Sequence, residues 1–289
     1  MINKSIGNKI FHIINNTLLI FIALIMFLPF LHIAAKSLSQ EVYVLSKEVY
    51  LLPKGFTTGA YRYILQTGQF LVSLRNSVFV TFVGTLLSMF VTAITAYPLA
   101  IKKNKISKAL MSIYIFTMYF NGGIIPTYLV VKDLNLTNSL WSLILPCALI
   151  PFNLIIVKNY FSGIPITLYE SARIDGASNI RILFSIFIPL SKAGISTITM
   201  FYAVGYWNNF FSAMMYITKR ELIPLQLYLR QMIVDSSNIT EVNVEALSLI
   251  SPESVRAAII MAATLPIVAV YPFAQKYFVK GVTLGAVKG

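Results

Sequence analysis

The sequence predicts an all-α membrane protein with six transmembrane helices, and three observations lead to this prediction. Of the 289 residues, 57% are hydrophobic and only 11% are charged, whereas about a quarter of the residues of a soluble domain carry a charge. The apolar residues are gathered into six runs, each long enough for the roughly 20 residues that cross a bilayer. The basic residues are divided unevenly between the segments that connect these runs.

The six predicted spans lie near residues 13–35, 73–101, 109–131, 138–160, 191–217 and 255–276. The first span follows two lysines, as the apolar region of a signal peptide does. Its apolar run is longer than the usual signal-peptide length of about 7–15 residues, and no clear A-x-A site follows it. We therefore expect a retained span and a single transmembrane domain over residues 1–289.

Lysine and arginine predict the orientation. With the N-terminus inside, the cytoplasmic segments contain thirteen basic and two acidic residues, a net charge of +11. The outer segments contain ten basic and eight acidic residues, a net charge of +2. Because basic residues are enriched in cytoplasmic loops, we expect both termini in the cytoplasm. The positive charge of the chain thus reflects its topology in the lipid bilayer, and a nucleic-acid partner is not needed to explain it.

The third predicted span contains helix-breaking residues, in Asn121-Gly122-Gly123 and at Pro126. Glycine costs about 1 kcal/mol in a helix and proline about 3 kcal/mol. A break at membrane depth is tolerated only against protein or a water-filled cavity. Asn121 and Gly122 are therefore candidate residues of a translocation path, and a kink that serves only helix packing is the alternative.

The fifth predicted span carries an aromatic and two amides in succession, Trp207, Asn208 and Asn209. Adjacent amides in a membrane span are costly unless they face protein or water. An aromatic side chain with a few polar groups is typical of a ligand site, and these groups suit a sugar. The three residues are thus further candidates for the translocation path, although asparagines also hold membrane helices together.

A polar segment with a helical pattern, residues 162–190, separates the fourth and fifth spans. Pro165 is suited to a helix start because its missing N–H is not needed there. Thr167 and Glu170 have the spacing of a capping box, which predicts that they satisfy each other's backbone donors.

The same segment contains signals for a turn and a second helix. Gly176 can adopt the left-handed conformation that ends a helix, and Ser178 can cap the next one. Pro189 would then bend or end that second helix. The segment therefore predicts a helix–turn–helix hairpin that serves as a docking element.

The spacing in this segment carries a family resemblance. Glu170-Ser171-Ala172 is followed after three residues by Gly176, and after nine more by Ile186-Phe187-Ile188-Pro189. This resembles the EAA loop of ABC importer permeases, which reads E-A-A, three residues, G, nine residues, I-x-L-P, with Ser171 and Ile188 as departures. In that family the loop forms a coupling helix in a groove of the cytoplasmic ATPase. The resemblance implies that the docking residues are Glu170, Ser171, Ala172, Arg173, Asp175, Gly176 and Pro189.

A second resemblance concerns the substrate. Trp207 with Asn208 is similar to the W-N pair of sugar-importer permeases, which implies a type I permease of the maltose and multiple-sugar class. Such a subunit forms half of the path for an oligosaccharide in a bacterial inner or plasma membrane. Its implied partners are a second homologous permease, two ATPase subunits that bind ATP and Mg, and an extracytoplasmic solute-binding protein. The outer loop, residues 218–253, contains five of the ten acidic residues and is a candidate contact for an extracytoplasmic partner, with a merely solvated loop as the alternative.

The motifs that the sequence lacks restrict its function. It contains no G-x-x-x-x-G-K-[ST] phosphate loop, so we expect the ATPase to be a separate subunit. It contains no nucleophile elbow and no metal-ligand cluster, so no catalytic residue, metal or cofactor is expected in this chain. The alternatives are a permease for a non-sugar solute, a membrane enzyme, and an ion-driven secondary transporter, which would show paired broken repeats.

Overall fold

The computed structural model describes residues 6–66, 68–101, 104–234 and 252–286, and these residues are helical apart from turns, loops and one isolated bridge between Ser39 and Phe56. The α-helices, in chain order, are α1 (Ile6–Ser37), α2 (Glu41–Leu45), α3 (Gly59–Gln66), α4 (Gln69–Ile101), α5 (Lys105–Tyr119), α6 (Ile124–Asp133), α7 (Trp141–Ile144), α8 (Pro151–Ser162), α9 (Ile166–Ile174), α10 (Asn179–Ile182), α11 (Ile188–Leu190), α12 (Lys192–Trp207), α13 (Phe211–Tyr216), α14 (Leu225–Val234) and α15 (Pro252–Ala286). A π-helix, Leu183–Phe187, joins α10 to α11, and two 3-10 turns lie at Leu145–Cys147 and Arg220–Leu222.

Six membrane spans can be built from the described helices. Helices α1 and α4 and the first half of α15 are each long and apolar enough to cross a bilayer. Three bent pairs supply the others: α5 with α6 at 114°, α7 and its 3-10 turn with α8 at 52°, and residues 179–190 with α12 at 90°. The prediction of an all-α protein with six spans is confirmed.

The fifth predicted span differs from a single helix over residues 191–217. Helix α12 ends at Trp207, and α13 begins only at Phe211. Asparagine side chains bond to nearby backbone groups in non-helical conformations, and Asn208 and Asn209 occupy this break. The sixth predicted span is the reverse case, because α15 continues past Pro266 and Pro272 to Ala286.

The chain divides into two compact units, residues 1–70 with 231–265, and residues 71–230 with 266–289. In the first unit, Ala35, Val44 and Val49 form a small buried core under Tyr43. The Ser37 hydroxyl lies 2.9 Å from the Tyr61 hydroxyl and so joins α1 to α3. These contacts order the segment that follows the first span.

Helix α1 exposes most of its apolar surface, and only 6% of its most hydrophobic window is buried. In water a surface of this size would be unfavourable and would require a partner. In a bilayer the same surface is compatible with its surroundings, because lipid tails are as apolar as leucine. The exposure of α1 therefore agrees with a membrane-embedded helix.

The second unit contains the docking segment and both polar breaks, all within residues 71–230. Its core is formed where α4, α7, α8 and α12 pack together, with Ile144 of α7, Leu154 of α8 and Ile198 of α12 fully buried. Gly194 on α12 permits the closest approach, because a Cβ atom there would lie 2.3 Å from the ring of Tyr160 on α8. This packing positions the docking hairpin and the broken spans described next.

Candidate docking hairpin and translocation path

The first arm of the hairpin is α9, which starts earlier than the capping-box prediction requires. Pro165 is the N-cap residue with extended backbone (φ −56°, ψ 129°), and no side chain caps the helix. Thr167 therefore lies inside the first turn, and the predicted capping box with Glu170 is wrong. The restricted backbone of proline sets the helix start, two residues before the hydroxyl that could have capped it.

The turn between the arms has the predicted left-handed glycine. Gly176 has φ +77°, a conformation that costs other residues about 1–2 kcal/mol. The N–H of Ala177 donates to the carbonyl of Ala172 at 2.9 Å, and the N–H of Gly176 donates to that of Arg173 at 3.1 Å. This pair of bonds is the Schellman arrangement, which satisfies the last carbonyls of α9.

The second arm begins as predicted. The Ser178 hydroxyl accepts a hydrogen bond from the N–H of Arg181 at 3.3 Å and caps α10. Pro189 lies in α11, which ends one residue later at a 90° bend into α12. The hairpin is thus two short arms joined by a four-residue turn, and its second arm continues into the fifth span.

The tip of the hairpin is exposed. No residue of α9 is buried, and the apolar side chains of Ile174 and Ile180, on either side of the turn, are 86% and 71% exposed. Charged side chains surround them, at Glu170, Arg173, Asp175 and Arg181. An apolar centre with a charged rim is the composition of a protein interface.

The base of the second arm is buried, unlike the tip. Phe187 is buried and makes edge-on ring contacts with Tyr97 of α4 at 5.1 Å and with Phe161 of α8 at 5.6 Å. Ile182 and Leu183 are buried beside it. Because the base is packed against two spans, a force applied at the exposed tip would be transmitted to α4 and α8.

A cavity of about 470 Å³ lies between the end of α4 and the two arms. Its wall is mainly apolar, with Tyr97, Tyr169, Arg173 and Asn179 as the polar-tipped members. The Tyr97 hydroxyl is buried and has no hydrogen-bond partner among the described residues. The cavity separates α9 from α4, so the first arm is less firmly held than the second.

The break in the third span is sharper than a kink. Helices α5 and α6 meet at 114°, and Gly123 precedes α6 with φ +90°. Asn121 and Gly122 lie in this break with exposed side-chain and backbone atoms, and the Asn121 amide oxygen accepts a hydrogen bond from the N–H of Gly123 at 2.9 Å. The exposed break leaves polar groups available at the surface of this chain.

The three candidates of the fifth span have different surroundings. Trp207 is only 8% exposed, and its indole N–H has no partner among the described residues. Asn208 is exposed at the end of α12, whereas Asn209 is half-buried and accepts a hydrogen bond from the N–H of Ser212 at 3.2 Å. Asn209 thus bonds to a backbone N–H in the first turn of α13, and Asn208 is the more exposed amide.

Two tyrosines that the sequence analysis did not select connect three spans. The Tyr206 hydroxyl donates to the carbonyl of Ile144 at 3.1 Å and lies 2.8 Å from the hydroxyl of Ser88. One turn away, the Tyr202 hydroxyl accepts from the N–H of Ile150 at 3.1 Å and lies 2.8 Å from the hydroxyl of Thr92. The Tyr202 and Tyr206 hydroxyls thus satisfy backbone groups where the fourth span breaks.

The sequence contained one signal for these hydrogen bonds, which is the spacing of the four polar side chains. Tyr202 and Tyr206 are four residues apart, and so are Ser88 and Thr92, which places each pair on one face of its helix. Polar side chains within spans form hydrogen bonds between membrane helices. Their partners could not be assigned from sequence, because Ile144 and Ile150 take part only through their backbone.

The observed features define a class of protein before any relative is considered. Six apolar spans, two polar breaks and an exposed hairpin with a buried base describe a membrane-embedded transport protein of the all-α class. Residues 77–284 match the family described as binding-protein-dependent transport system inner membrane component. The chain belongs to this family, the permease subunits of ABC importers.

Individual relatives are similar over nearly the whole chain. The protein LplC of Bacillus subtilis (strain 168) is 46% identical over 285 residues, which cover 98% of this chain and 96% of LplC. The polygalacturonan/rhamnogalacturonan transport system permease protein YtcP of the same organism is 45% identical over 98% of this chain and 99% of its own length.

A solved structure shows the same fold. A chain of a bacterial ABC transporter involved in the import of the acidic polysaccharide alginate superimposes with a TM-score of 0.89 at 36% identity. The match covers 96% of this chain and 100% of that chain. The type I permease fold expected from the sequence is confirmed.

Proposed function

We propose that this subunit forms half of the translocation path of an ATP-driven importer and docks an ATPase subunit through residues 165–189. The observation that carries the docking proposal is the contrast within the hairpin, an exposed tip on a buried base. A surface with exposed isoleucines and a charged rim suits a protein groove. The rings of Phe187, Tyr97 and Phe161 connect that surface to the spans.

The docking residues divide by position along the hairpin. Glu170, Ser171 and Arg173 are exposed on α9, and Ala172 is half-buried. Asp175 and Gly176 form the turn, and Pro189 ends the second arm. We infer that the residues of α9 and the turn contact the ATPase, and that Pro189 sets the direction in which the hairpin leaves the fifth span.

Gly176→Val tests this docking role. Among the described residues, no atom beyond the two chain neighbours lies within 4 Å of a Cβ at Gly176, so the permease is expected to insert normally. A β-branched residue opposes the left-handed turn and projects into the groove, so ATPase retention on the purified permease and ATP-dependent uptake should both fall. The control is Gly68→Val, since Gly68 has a similar φ of +67° and open space but lies outside the hairpin. Normal retention and uptake for Gly176→Val would show that the hairpin does not couple the two subunits.

The orientation follows from the same proposal. An ATPase in the cytoplasm requires the hairpin there, which places both termini in the cytoplasm and the loop 218–253 outside. Residues 235–251 of that loop and the chain ends lie outside the described residues. Labelling of single cysteines introduced at Lys105 or Asp175, with Cys147 replaced, would contradict the orientation if a membrane-impermeant reagent reacted from outside.

The proposed path contains the two polar breaks, with Asn121 and Gly122 in one and Trp207, Asn208 and Asn209 in the other. Exposed amides are suited to sugar hydroxyls, and the exposed members are Asn121 and Asn208. Trp207 and Asn209, which are more buried, would hold the break in position. Asn208→Ala should therefore reduce substrate-stimulated ATP hydrolysis while the complex still assembles, and loss of assembly would instead indicate a packing role.

We further propose that the cargo is an oligosaccharide with carboxylate groups, delivered by a solute-binding protein and passed to this chain and a second permease. The relatives support this class, because YtcP is named for polygalacturonan and rhamnogalacturonan and the alginate importer for an acidic polysaccharide. ATP and Mg would bind to the two ATPase subunits. The test is ATP-dependent uptake of short oligogalacturonates by the reconstituted complex, and uptake of only a non-sugar solute would contradict it.

A further inference from the structure

An arginine that neither the sequence analysis nor the proposed path includes lies beside the break in the fifth span. Arg230 is the sixth residue of α14, and its guanidinium carbon is 5.7 Å from the centroid of the Phe210 ring. One of its terminal nitrogens lies 3.0 Å from the sulfur of Met214. Phe210 directly follows Asn208 and Asn209 in the chain, so Arg230, Phe210 and the amides share one small region of the second unit.

The environment of Arg230 holds the side chain without neutralising it. The side chain is exposed, and the ion pairs Lys36–Glu253 and Lys54–Glu48 do not involve it. Thioether sulfur is a weak acceptor, and the face of an aromatic ring attracts a cation without occupying its N–H donors. The guanidinium therefore keeps its charge and most of its donors available for a ligand.

The chemistry of the cluster selects a carboxylate. A guanidinium presents parallel N–H donors that match the two oxygens of a carboxylate, a geometry that ammonium lacks. The Phe210 ring restricts the side chain beforehand, and Asn208 supplies an exposed amide nearby for hydroxyl groups. Phe211 packs edge-on against Phe210 at 6.4 Å, which supports the ring that carries the arginine.

We propose that Arg230 binds a carboxylate of the oligosaccharide at the outer end of the path and thereby determines specificity for acidic sugars. This inference rests on the proposed function, since it requires Asn208 to line the path and the loop 218–253 to lie outside. We assign the carboxylate to the transported sugar, because YtcP and the alginate importer are named for acidic polysaccharides and the neighbouring Asn208 amide suits sugar hydroxyls. Arg230 is thus a specificity-determining residue.

The experiment compares two substrates that differ only in charge. The complete reconstituted importer is assayed for ATP-dependent uptake of an oligogalacturonate and of its fully methyl-esterified form, with Arg230→Gln, Arg230→Lys and the wild type. We expect Arg230→Gln to raise the KM for the acid about tenfold or more and to leave the KM for the ester within about twofold. Arg230→Lys keeps the positive charge but lacks the parallel N–H donors of the guanidinium, so it should give an intermediate KM for the acid.

Arg220→Gln is the matched control, because Arg220 is exposed in the 3-10 turn of the same loop. It should leave both KM values within about twofold.

An unchanged KM for the acid in Arg230→Gln would overturn the assignment. An equal increase in KM for acid and ester would also overturn it, and would indicate a contact with the binding protein. A wild type that imports the ester and excludes the acid would overturn the assignment of Arg230 and leave an oligosaccharide importer. A wild type that imports neither would count against the proposed function itself.

Discussion

The docking hairpin and the tyrosine-linked core of α4, α8 and α12 belong to the same compact unit but differ in how they are stabilised. The conformation of the hairpin is determined by residues within it, the left-handed Gly176 and the Ser178 cap. Its first arm is exposed. The core is defined by contacts between residues more than 100 positions apart, such as Ser88 with Tyr206 and Thr92 with Tyr202. An exposed segment, to which we assign an external partner, is formed by local signals, whereas a membrane core depends on long-range partners.

The largest effect is expected in the core, from Gly194→Ala. The new methyl group would lie 2.3 Å from the Tyr160 ring, so either the Tyr160 side chain must shift or α12 and α8 must move apart. Overpacking of this kind costs about 1–3 kcal/mol, and it should lower the melting temperature of the detergent-purified permease.

Gly205→Ala is the control for this variant, because Gly205 lies on the same helix and, in the part of the chain that the structure describes, no atom outside its own turn of helix lies within 4 Å of its added Cβ. Alanine is the better helix former by about 1 kcal/mol, so this variant should be as stable as the wild type or more stable. If both alanine variants melted alike, the close packing of α12 on α8 would be wrong.

A smaller effect is expected from Tyr202→Phe and Tyr206→Phe. Each change removes a buried hydroxyl that has two partners, and leaving such partners unsatisfied costs about 1–2 kcal/mol per site. Melting temperatures should fall for both variants and remain unchanged for Tyr119→Phe, where the side chain is 79% exposed. Equal stability of all three variants would show that the hydroxyls contribute no net stability.

The smallest effect on stability is expected in the hairpin, from Glu170→Gln. Glu170 is exposed, and α9 has no side-chain cap. The free energy of unfolding should therefore change by less than about 0.5 kcal/mol. Any loss should appear in ATPase retention, because only a charge contact with the partner is removed. Glu221→Gln, which changes an exposed carboxylate in the loop 218–253, should change neither quantity. A lower melting temperature for Glu170→Gln would mean that the carboxylate stabilises the permease itself.

The chemistry of neighbouring residues was sufficient to predict the membrane spans, the turn at Gly176 and the cap at Ser178. Apolar runs near the required length predict spans without knowledge of their neighbours, because the bilayer supplies the surrounding solvent. Glycine at residue 176 and serine at residue 178 act on the backbone within a few residues, so their roles were visible in the sequence. At the start of α9 two local signals competed. Pro165 determined where the helix begins, so Thr167 and Glu170 did not form the predicted capping box.

The tertiary structure alone decided how the polar residues of the spans are used. Trp207, Asn208 and Asn209 are consecutive, yet the first is buried, the second is exposed and the third bonds to the first turn of α13. The bond partners of Tyr202 and Tyr206 include backbone groups of the fourth span, and the position of Arg230 over Phe210 depends on how α14 returns to the break. A sequence records which side chains need a partner in a membrane, but the partner is chosen by helix packing, which brings together residues that are distant in the chain.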